Sequence, residues 1–346
     1  MIGPLLLALS EGSPQNLSIF DPVSPPAQSI HHLSLLVLAI TAGIFLVVES
    51  VLIYSLLRFR RGYAPGSSEP PQVYGSKPIE IAWTAAPALV VFVLTLVIAR
   101  TEWEVRVDLD HPPPEIKDGH PLRVRVVGHQ WWWEFNYDSY GDEKLGFIAA
   151  NELHVPASIL SESGERRPVF LTLESADVAH SFWVPRLAGK TDLIPGKTNT
   201  MWFETEHTGL FVGQCAEYCG TQHANMLLRV YVDSLEEFSR WLVNQKKDAR
   251  DSDELRKDKE AFLSQSCINC HRVRGTLARG TFGPDLTHLM SRNTLAAGMI
   301  LNDGGVKNLR AWIADPQTIK PGCLMPAFGL SESDLDRVVR YLASLE

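Results

Sequence analysis

The chain has 346 residues, a formal net charge of −8 and only five cysteines. That length allows two or three domains. The acidic balance excludes nucleic acid as a partner, because binding it needs a basic surface. Four of the five cysteines fall into two tight motifs, which is metal or cofactor usage and not a disulfide framework.

Residues 1–30 contain no Lys or Arg, and the apolar run Leu5–Leu9 is short, so a cleavable signal peptide has little support. Pro14, Pro22, Pro25 and Pro26 make this segment extended. Leu33–Leu57 is almost unbroken apolar sequence. At 1.5 Å per residue it spans about 37 Å, enough to cross a hydrocarbon core of about 30 Å with some tilt. Glu49 interrupts the run at a cost of roughly 2.5–3.5 kcal/mol, which the surrounding Leu, Val and Ile outweigh. It either faces a partner subunit or a proton route, or sits protonated against a neighbouring helix. Ile81–Ala99 is a second span, with Pro87 tolerable in a membrane helix. A helix hairpin is therefore expected over 31–100, with helices at about 33–57 and 79–100. The connecting loop carries Arg58, Arg60, Arg61 and Lys77 among Gly62, Pro65, Gly66, Pro70 and Pro71. By the positive-inside rule it is cytoplasmic, so both termini and everything after Arg100 face outward.

Residues 101–118 read as a charged connector stiffened by Pro112, Pro113 and Pro114. From 120 to 232 the pattern is β: 122–126 and 169–173 alternate, and 199–203 and 227–232 read as further strands. Turn signals lie at Gly164, Pro195-Gly196 and Thr208-Gly209. Several short strands in this span imply a small sandwich or barrel. Asn244–Glu260 is a run of mixed charge, read as a solvated linker that becomes a helix. The last part, 255–346, is mostly helical. Ser333-Asp334-Leu335-Asp336 is expected to cap its final helix, with Leu335, Val338, Val339 and Leu342 on one face.

Two stretches carry the chemistry. Cys215, Cys219, His223 and Met226 form a C-x3-C-x3-H-x2-M pattern, with Gly213 and Gly220 allowing sharp turns. Soft sulfur ligands with an imidazole suit copper better than magnesium or calcium, and a Met is foreign to most zinc sites. A disulfide between Cys215 and Cys219 is the rival reading, and it leaves His223 and Met226 without a role. Cys267-Ile268-Asn269-Cys270-His271 is C-x-x-C-H, the attachment signature of c-type haem, with a redox dithiol as its rival. The second axial ligand is expected in a loop before the last helix, and Met325, bracketed by Pro and Gly, fits. Met290 and Met299 lie in apolar, helix-like surroundings and read as core. Cys323 is left over, packing near Met325.

Together these residues resemble cytochrome c oxidase subunit II of the kind that carries a cytochrome c domain at its C-terminus. Asp177–Phe182, Gly128–Trp133 and Lys190–Gly196 strengthen the resemblance, which covers nearly the whole chain from about residue 30. It implies a multidomain fold: a two-helix transmembrane hairpin, an all-β cupredoxin-like barrel over 101–243, a linker over 244–254 and an all-α class I cytochrome c domain over 255–346. It implies a binuclear copper A centre bridged by Cys215 and Cys219, with His180, His223, Met226 and the Glu217 carbonyl completing it. It implies one covalent haem c on Cys267, Cys270, His271 and Met325. Trp131 matches the family's electron-entry residue, and Glu80 matches a carboxylate at a proton entrance. Glu217 and Asp192 match the edge of a magnesium site shared with subunit I.

The resemblance also implies a multi-pass protein of the bacterial inner membrane, with both cofactor domains on the periplasmic side of the lipid bilayer. Its partners would be subunit I, subunit III and a donor such as cytochrome c or another reductase-linked carrier. Electrons would pass from haem c to copper A and on to subunit I, where oxygen is reduced to water with proton pumping. A quinol-oxidase subunit lacks the copper ligands that are complete here. A nitrous-oxide reductase needs a large propeller that does not fit this length. A tethered electron carrier outside any oxidase is the third alternative.

Overall fold

The computed structural model of the chain describes residues 18–60, 72, 74–106, 120–158, 166–302 and 306–346. Leu5–Leu9, Pro14, the Arg61–Pro71 loop segment, Pro112–Pro114 and Gly164 lie outside the described residues. The chain forms two compact units, one of residues 28–105 and one of the remainder.

Helix α1 runs Pro25–Arg58 (34 residues), within the first unit from residue 28 on, and helix α2 runs Lys77–Val105 (29 residues). Both exceed the expected spans because the helices continue past the apolar stretch at either end. Pro25 and Pro26 are tolerated in the first turn of α1, where the missing N–H has no partner to lose. At the far end of α2 an Arg100–Glu104 pair, 2.9 Å apart, sits at helical i,i+4 spacing. No side chain of α2 is buried, although its sequence is apolar on every side. Such a helix needs a nonaqueous surrounding, and only a bilayer or other helices supply one. Pro87 lies inside α2 without breaking it.

The second unit opens its β part with β1 (Leu122–His129), β2 (Trp132–Tyr140), β3 (Glu143–Ala150) and β4 (Glu152–Pro156). It continues with β5 (Val169–Ser175), β6 (His180–Trp183), β7 (Thr191–Leu193), β8 (Asn199–Phe203), β9 (Gly209–Cys215) and β10 (Leu227–Asp233). Two five-stranded sheets result, ordered β3-β2-β1-β5-β8 and β4-β10-β9-β6-β7. The alternation read in β1 turns Leu122, Val124 and Val126 inward, while Arg123 and Arg125 stay at the surface. Between the sheets pack Phe135, Leu153, Leu171, Phe182, Leu228 and Val230.

Helix α3 (Leu235–Gln245) follows, opened by a reciprocal capping box between Ser234 and Glu237. The linker expected from Asn244 onward thus begins as the end of a helix. Its side chains are mostly exposed, yet its backbone is tied down: Ala249 N donates to Arg274 O at 3.2 Å, and Lys247 O meets His288 Nε2 at 3.1 Å. The helical part comprises α4 (Arg256–Leu263), the single turn α5 (Cys267–Cys270), α6 (Val306–Ala314), α7 (Pro316–Ile319) and α8 (Glu332–Leu342). A short hairpin, β11 (Thr294–Leu295) and β12 (Ile300–Leu301), interrupts them. Helices α4 and α8 pack together, with Phe262 and Tyr341 rings 5.3 Å apart. The cap of α8 is Ser331, two residues before the one expected, because Ser331 Oγ accepts from Asp334 N at 3.1 Å. Met290 lies in a 3-10 turn at the edge of this core, and Met299 in the β11–β12 turn, neither in the α-helix expected.

Phe135 is fully buried between the sheets. Phe135→Ala should destabilise the β part by about 3–5 kcal/mol, the cost of an aromatic-sized cavity. Chemical denaturation of the solubilised chain measures it, and a loss below about 1 kcal/mol would remove Phe135 from the core.

Candidate metal centre and cofactor cavity

Strand β9 ends at Cys215, and the chain returns at Met226 to start β10. The loop is closed by Cys215 N donating to Met226 O at 3.1 Å, and Ala216 N donating to Ser181 O at 3.0 Å joins it to β6. Gly213 is not in a turn, as the sequence suggested, but inside β9. A Cβ there would lie 2.1 Å from the Trp183 carbonyl oxygen, so only glycine lets β9 pass that close to β6. Gly220 does turn, at φ +113°.

This geometry gathers the soft donors. Cys215 Sγ and Cys219 Sγ stand 3.8 Å apart, and all five cysteines are free thiols, so the disulfide reading has no support. His180 Nδ1 lies 3.9 Å from Cys215 Sγ, and His223 Nδ1 lies 3.6 Å from Cys219 Sγ. Met226 Sδ is 4.0 Å from Cys219 Sγ, and the Glu217 carbonyl is 3.2 Å from Cys215 Sγ. His180, Cys215, Cys219 and Met226 are all buried. Phe182 pairs with Cys215 across β6 and β9, which brings His180, on the same strand, to the loop.

Asp177 does what the sequence reading missed. Its carboxylate accepts from His180 Nε2 at 2.8 Å, which leaves Nδ1 deprotonated and facing the sulfurs. Gln130 N and Val178 N, each at 2.6 Å, fix that carboxylate in turn. Burial would raise the Asp177 pKa, but these three hydrogen bonds outweigh it and hold it below the usual range. Burial likewise opposes the charged form of His180, and its bonds to Asp177 and Cys215 still leave its pKa raised. The hydrogen bond shared with Cys219 holds the Cys215 thiol well below its ordinary range, and the same bond, with burial, holds Cys219 above it. Metal binding at such a pair requires thiolates, so it would release the remaining protons. Two thiols, two imidazoles, a thioether and a carbonyl thus fit copper.

The second cluster lines a largely apolar cavity. Cys267, Cys270, His271 and Met325 all face it, and Met325 is the only methionine among its lining residues. His271 Nδ1 donates to Pro284 O at 2.8 Å, leaving Nε2 as the free ligand atom. Gly283 makes room for that ring: a Cβ would lie 2.7 Å from His271 Cε1. Phe262, Leu286, Leu309, Ile313 and Phe328 supply the walls. Two thiols, an oriented imidazole, a thioether and an apolar slot fit a covalently held haem.

The three consecutive tryptophans go to three places. Trp133 is core, edge-on to His180 and Phe182 with centroids at 6.2 and 5.8 Å. Trp132 stacks on His129 at 4.2 Å and packs against Ala150 and Ala297. Trp131 lies between the two clusters. Its Nε1 donates to Cys219 O at 3.0 Å, and it lines the same cavity as Cys267 and His271. Asp192 and Glu217 share Lys190, at 3.6 and 3.8 Å, so a cation there would first have to displace that ammonium group. Glu80 is exposed in the first turn of α2, and its Oε1 accepts from Ser76 N at 3.2 Å, an ordinary capping contact. Lys320, unremarked in the sequence, is buried beside the cavity, and burial pulls its pKa down to about 8.

Comparison with known proteins bears on each part. The family profile described as "Cytochrome C oxidase subunit II, transmembrane domain" matches residues 12–98, "Cytochrome C oxidase subunit II, periplasmic domain" matches 122–233, and "Cytochrome c" matches 257–346. The chain is 37% identical to cytochrome c oxidase subunit 2 of Alkalihalophilus pseudofirmus, over 96% of its own length and 92% of the relative's. It is 31% identical to the protein of that name from Bacillus subtilis, over 99% and 95% of the two chains, and 31% identical to that from Bacillus sp. PS3, over 100% and 96%. The β part is accordingly a cupredoxin-like copper domain, and the helical part a haem-carrying cytochrome c domain. With all three parts matched in one continuous chain, the protein belongs to the cytochrome c oxidase subunit 2 family, as a member with a fused C-terminal cytochrome c domain that works within the oxidase complex.

Proposed function

We propose that this chain carries electrons into the oxidase along an internal route from haem c to copper A. The observation that carries this reading is Trp131: it lines the haem cavity and donates to the carbonyl of Cys219 in the copper loop. When bound, the haem and the copper pair supply the one-electron chemistry, taking electrons from an external donor and passing them to subunit I, where oxygen is reduced to water with proton pumping.

The chain's own residues hold and insulate these groups. Cys267 and Cys270 would anchor the haem through their thiols, and His271 and Met325 would supply the donors for its iron. Cys215, Cys219, His180, His223, Met226 and the Glu217 carbonyl would hold the copper, the two thiols as its soft donors. Asp177 orients His180. Burial of His180, Cys215, Cys219 and Met226 keeps water and substrate from the copper donors, as an electron-transfer site needs and a hydrolytic site does not. Trp131 is only 9% exposed, so it receives electrons from the haem side of this same chain and not from a separate docked protein. Both helices span the membrane, and Arg58, Arg60 and Lys77 anchor their shared end in the cytoplasm. Glu80, at that cytoplasmic end, sits where protons enter. The Asp192–Glu217 pair would take part in a magnesium site only if subunit I drew Lys190 away.

Metal and haem analysis of the purified full-length chain should give two coppers and one covalent haem. His223→Ala should abolish the copper absorption and oxygen consumption while leaving the haem spectrum intact; unaltered oxygen uptake would refute the assignment. Asp177→Asn should weaken copper retention about 10–100-fold in chelator competition, the usual cost of losing a partner behind a metal-bound histidine. Glu80→Gln should slow proton-coupled turnover with copper loading unchanged, and normal turnover would leave Glu80 with its capping role alone.

A further inference from the structure

The copper and haem domains meet across a polar seam, and one residue stands at its centre. Lys320 follows α7, five residues before Met325, and is only 3% exposed. An ammonium group has three N–H donors. Here each finds a backbone carbonyl: Trp131 O at 2.9 Å, Asn225 O at 2.9 Å and Ala296 O at 3.4 Å. The three acceptors come from the segment before β2, from the copper loop next to Met226, and from the β11–β12 turn. No carboxylate pairs with it among the described residues, so a net positive charge is held inside the seam. Burying a charge without a counterion is costly, and these three hydrogen bonds offset part of that cost.

The surroundings are built to keep it there. Ala296 and Ala297 both adopt left-handed conformations, at φ +55° and +59°. Left-handed residues in a hairpin turn are normally Asn or Gly. At 297 the alanine methyl is buried against Trp132 and Ala150. The Gln222 side chain donates to Pro321 O beside the lysine. Glu152 of β4 accepts from Asn293 N at 2.9 Å and Thr294 Oγ1 at 2.6 Å, so the same hairpin is held from its other end.

We propose that Lys320 is the positioning residue of the haem-to-copper relay: its ammonium group pins Trp131 and the copper loop to the haem domain and places a fixed positive charge between the two redox centres. This deepens the function proposed above and rests on the reading of Cys219, Met226 and Met325 as cofactor ligands. A positive charge near both centres favours their reduced forms. A pinned Trp131 keeps the contact with Cys219 constant while electrons pass.

The test uses the full-length chain loaded with copper and haem. Lys320→Met keeps the length of the stem and removes both the donors and the charge. It should retain wild-type copper and haem content. Photoreduced haem should pass its electron to copper at least tenfold more slowly, and both midpoint potentials should fall. Backbone amides of 220–226 and 294–298 should exchange faster with deuterium. Lys320→Gln, which keeps an amide donor without the charge, should also lower both potentials while slowing transfer less; it carries the test if Lys320→Met does not accumulate. Unchanged transfer rate and potentials in a fully loaded variant would overturn the proposal. A wild-type chain lacking two coppers or the covalent haem would instead overturn the reading of the sites themselves.

Discussion

The arrangement depends first on one backbone hydrogen bond, from Cys215 N to Met226 O. It makes the end of β9 and the start of β10 neighbours, so the loop between them must fold over its own base. Residues of that loop that point inward then converge whatever their distance in sequence: two thiols, an imidazole and a thioether share one small volume. The sandwich beneath supplies the register. Because β6 pairs with β9, His180 arrives from a different strand at the same place. Removing the bond would not delete a ligand, but it would let every ligand choose its own position.

What could be read from the sequence follows from this geometry. The copper loop and the C-x-x-C-H turn were legible because their donors are close in the chain and their spacing carries the chemistry. Met325 could be placed because Pro and Gly bracket it. His180 could not be found by spacing, since its contribution depends on strand pairing thirty-five residues away from Cys215; only family resemblance pointed to it. Asp177 was invisible for the same reason, though a carboxylate three residues before a suspected ligand is the local pattern that betrays such partners. The three tryptophans look alike in sequence and diverge in space, because β2 begins after Trp131 and alternation sends Trp132 and Trp133 to opposite faces. The α8 cap was misplaced by two residues because Ser331 and Ser333 are equivalent in composition, and only one of them reaches an unpaired N–H.

The join between the domains was the least legible part. The run from Asn244 has the composition of a free tether, and its charged side chains do face water. Its backbone nevertheless docks, and beyond it the seam buries Glu152, Arg229 and Lys320. Each of these makes a hydrogen bond to main-chain atoms of the facing domain. Composition rules treat such residues as surface, since isolated charges are rarely buried. They are stable here because backbone groups of the facing domain are already positioned to receive them. A seam of this type gains little from burial alone, but it tolerates few alternative registers, because a slip would leave charges unpaired.

Segment 129–131 shows why that register matters to electron transfer. Gln130 N donates to Asp177, which holds His180. The Gln130 side chain and the Trp131 indole both donate to Cys219 O, at 2.8 and 3.0 Å. The Trp131 carbonyl in turn receives Lys320 from the haem domain. A short stretch of chain therefore touches both arms of the proposed copper set and the cytochrome domain together. Electron transfer is fastest when the ligands need not move as charge arrives, and a donor held by a second, independent contact has little freedom to move. On that argument the rigidity of the relay resides less in the cofactors than in the backbone carbonyls and amides that fix Asp177, Cys219 and Trp131 to one another.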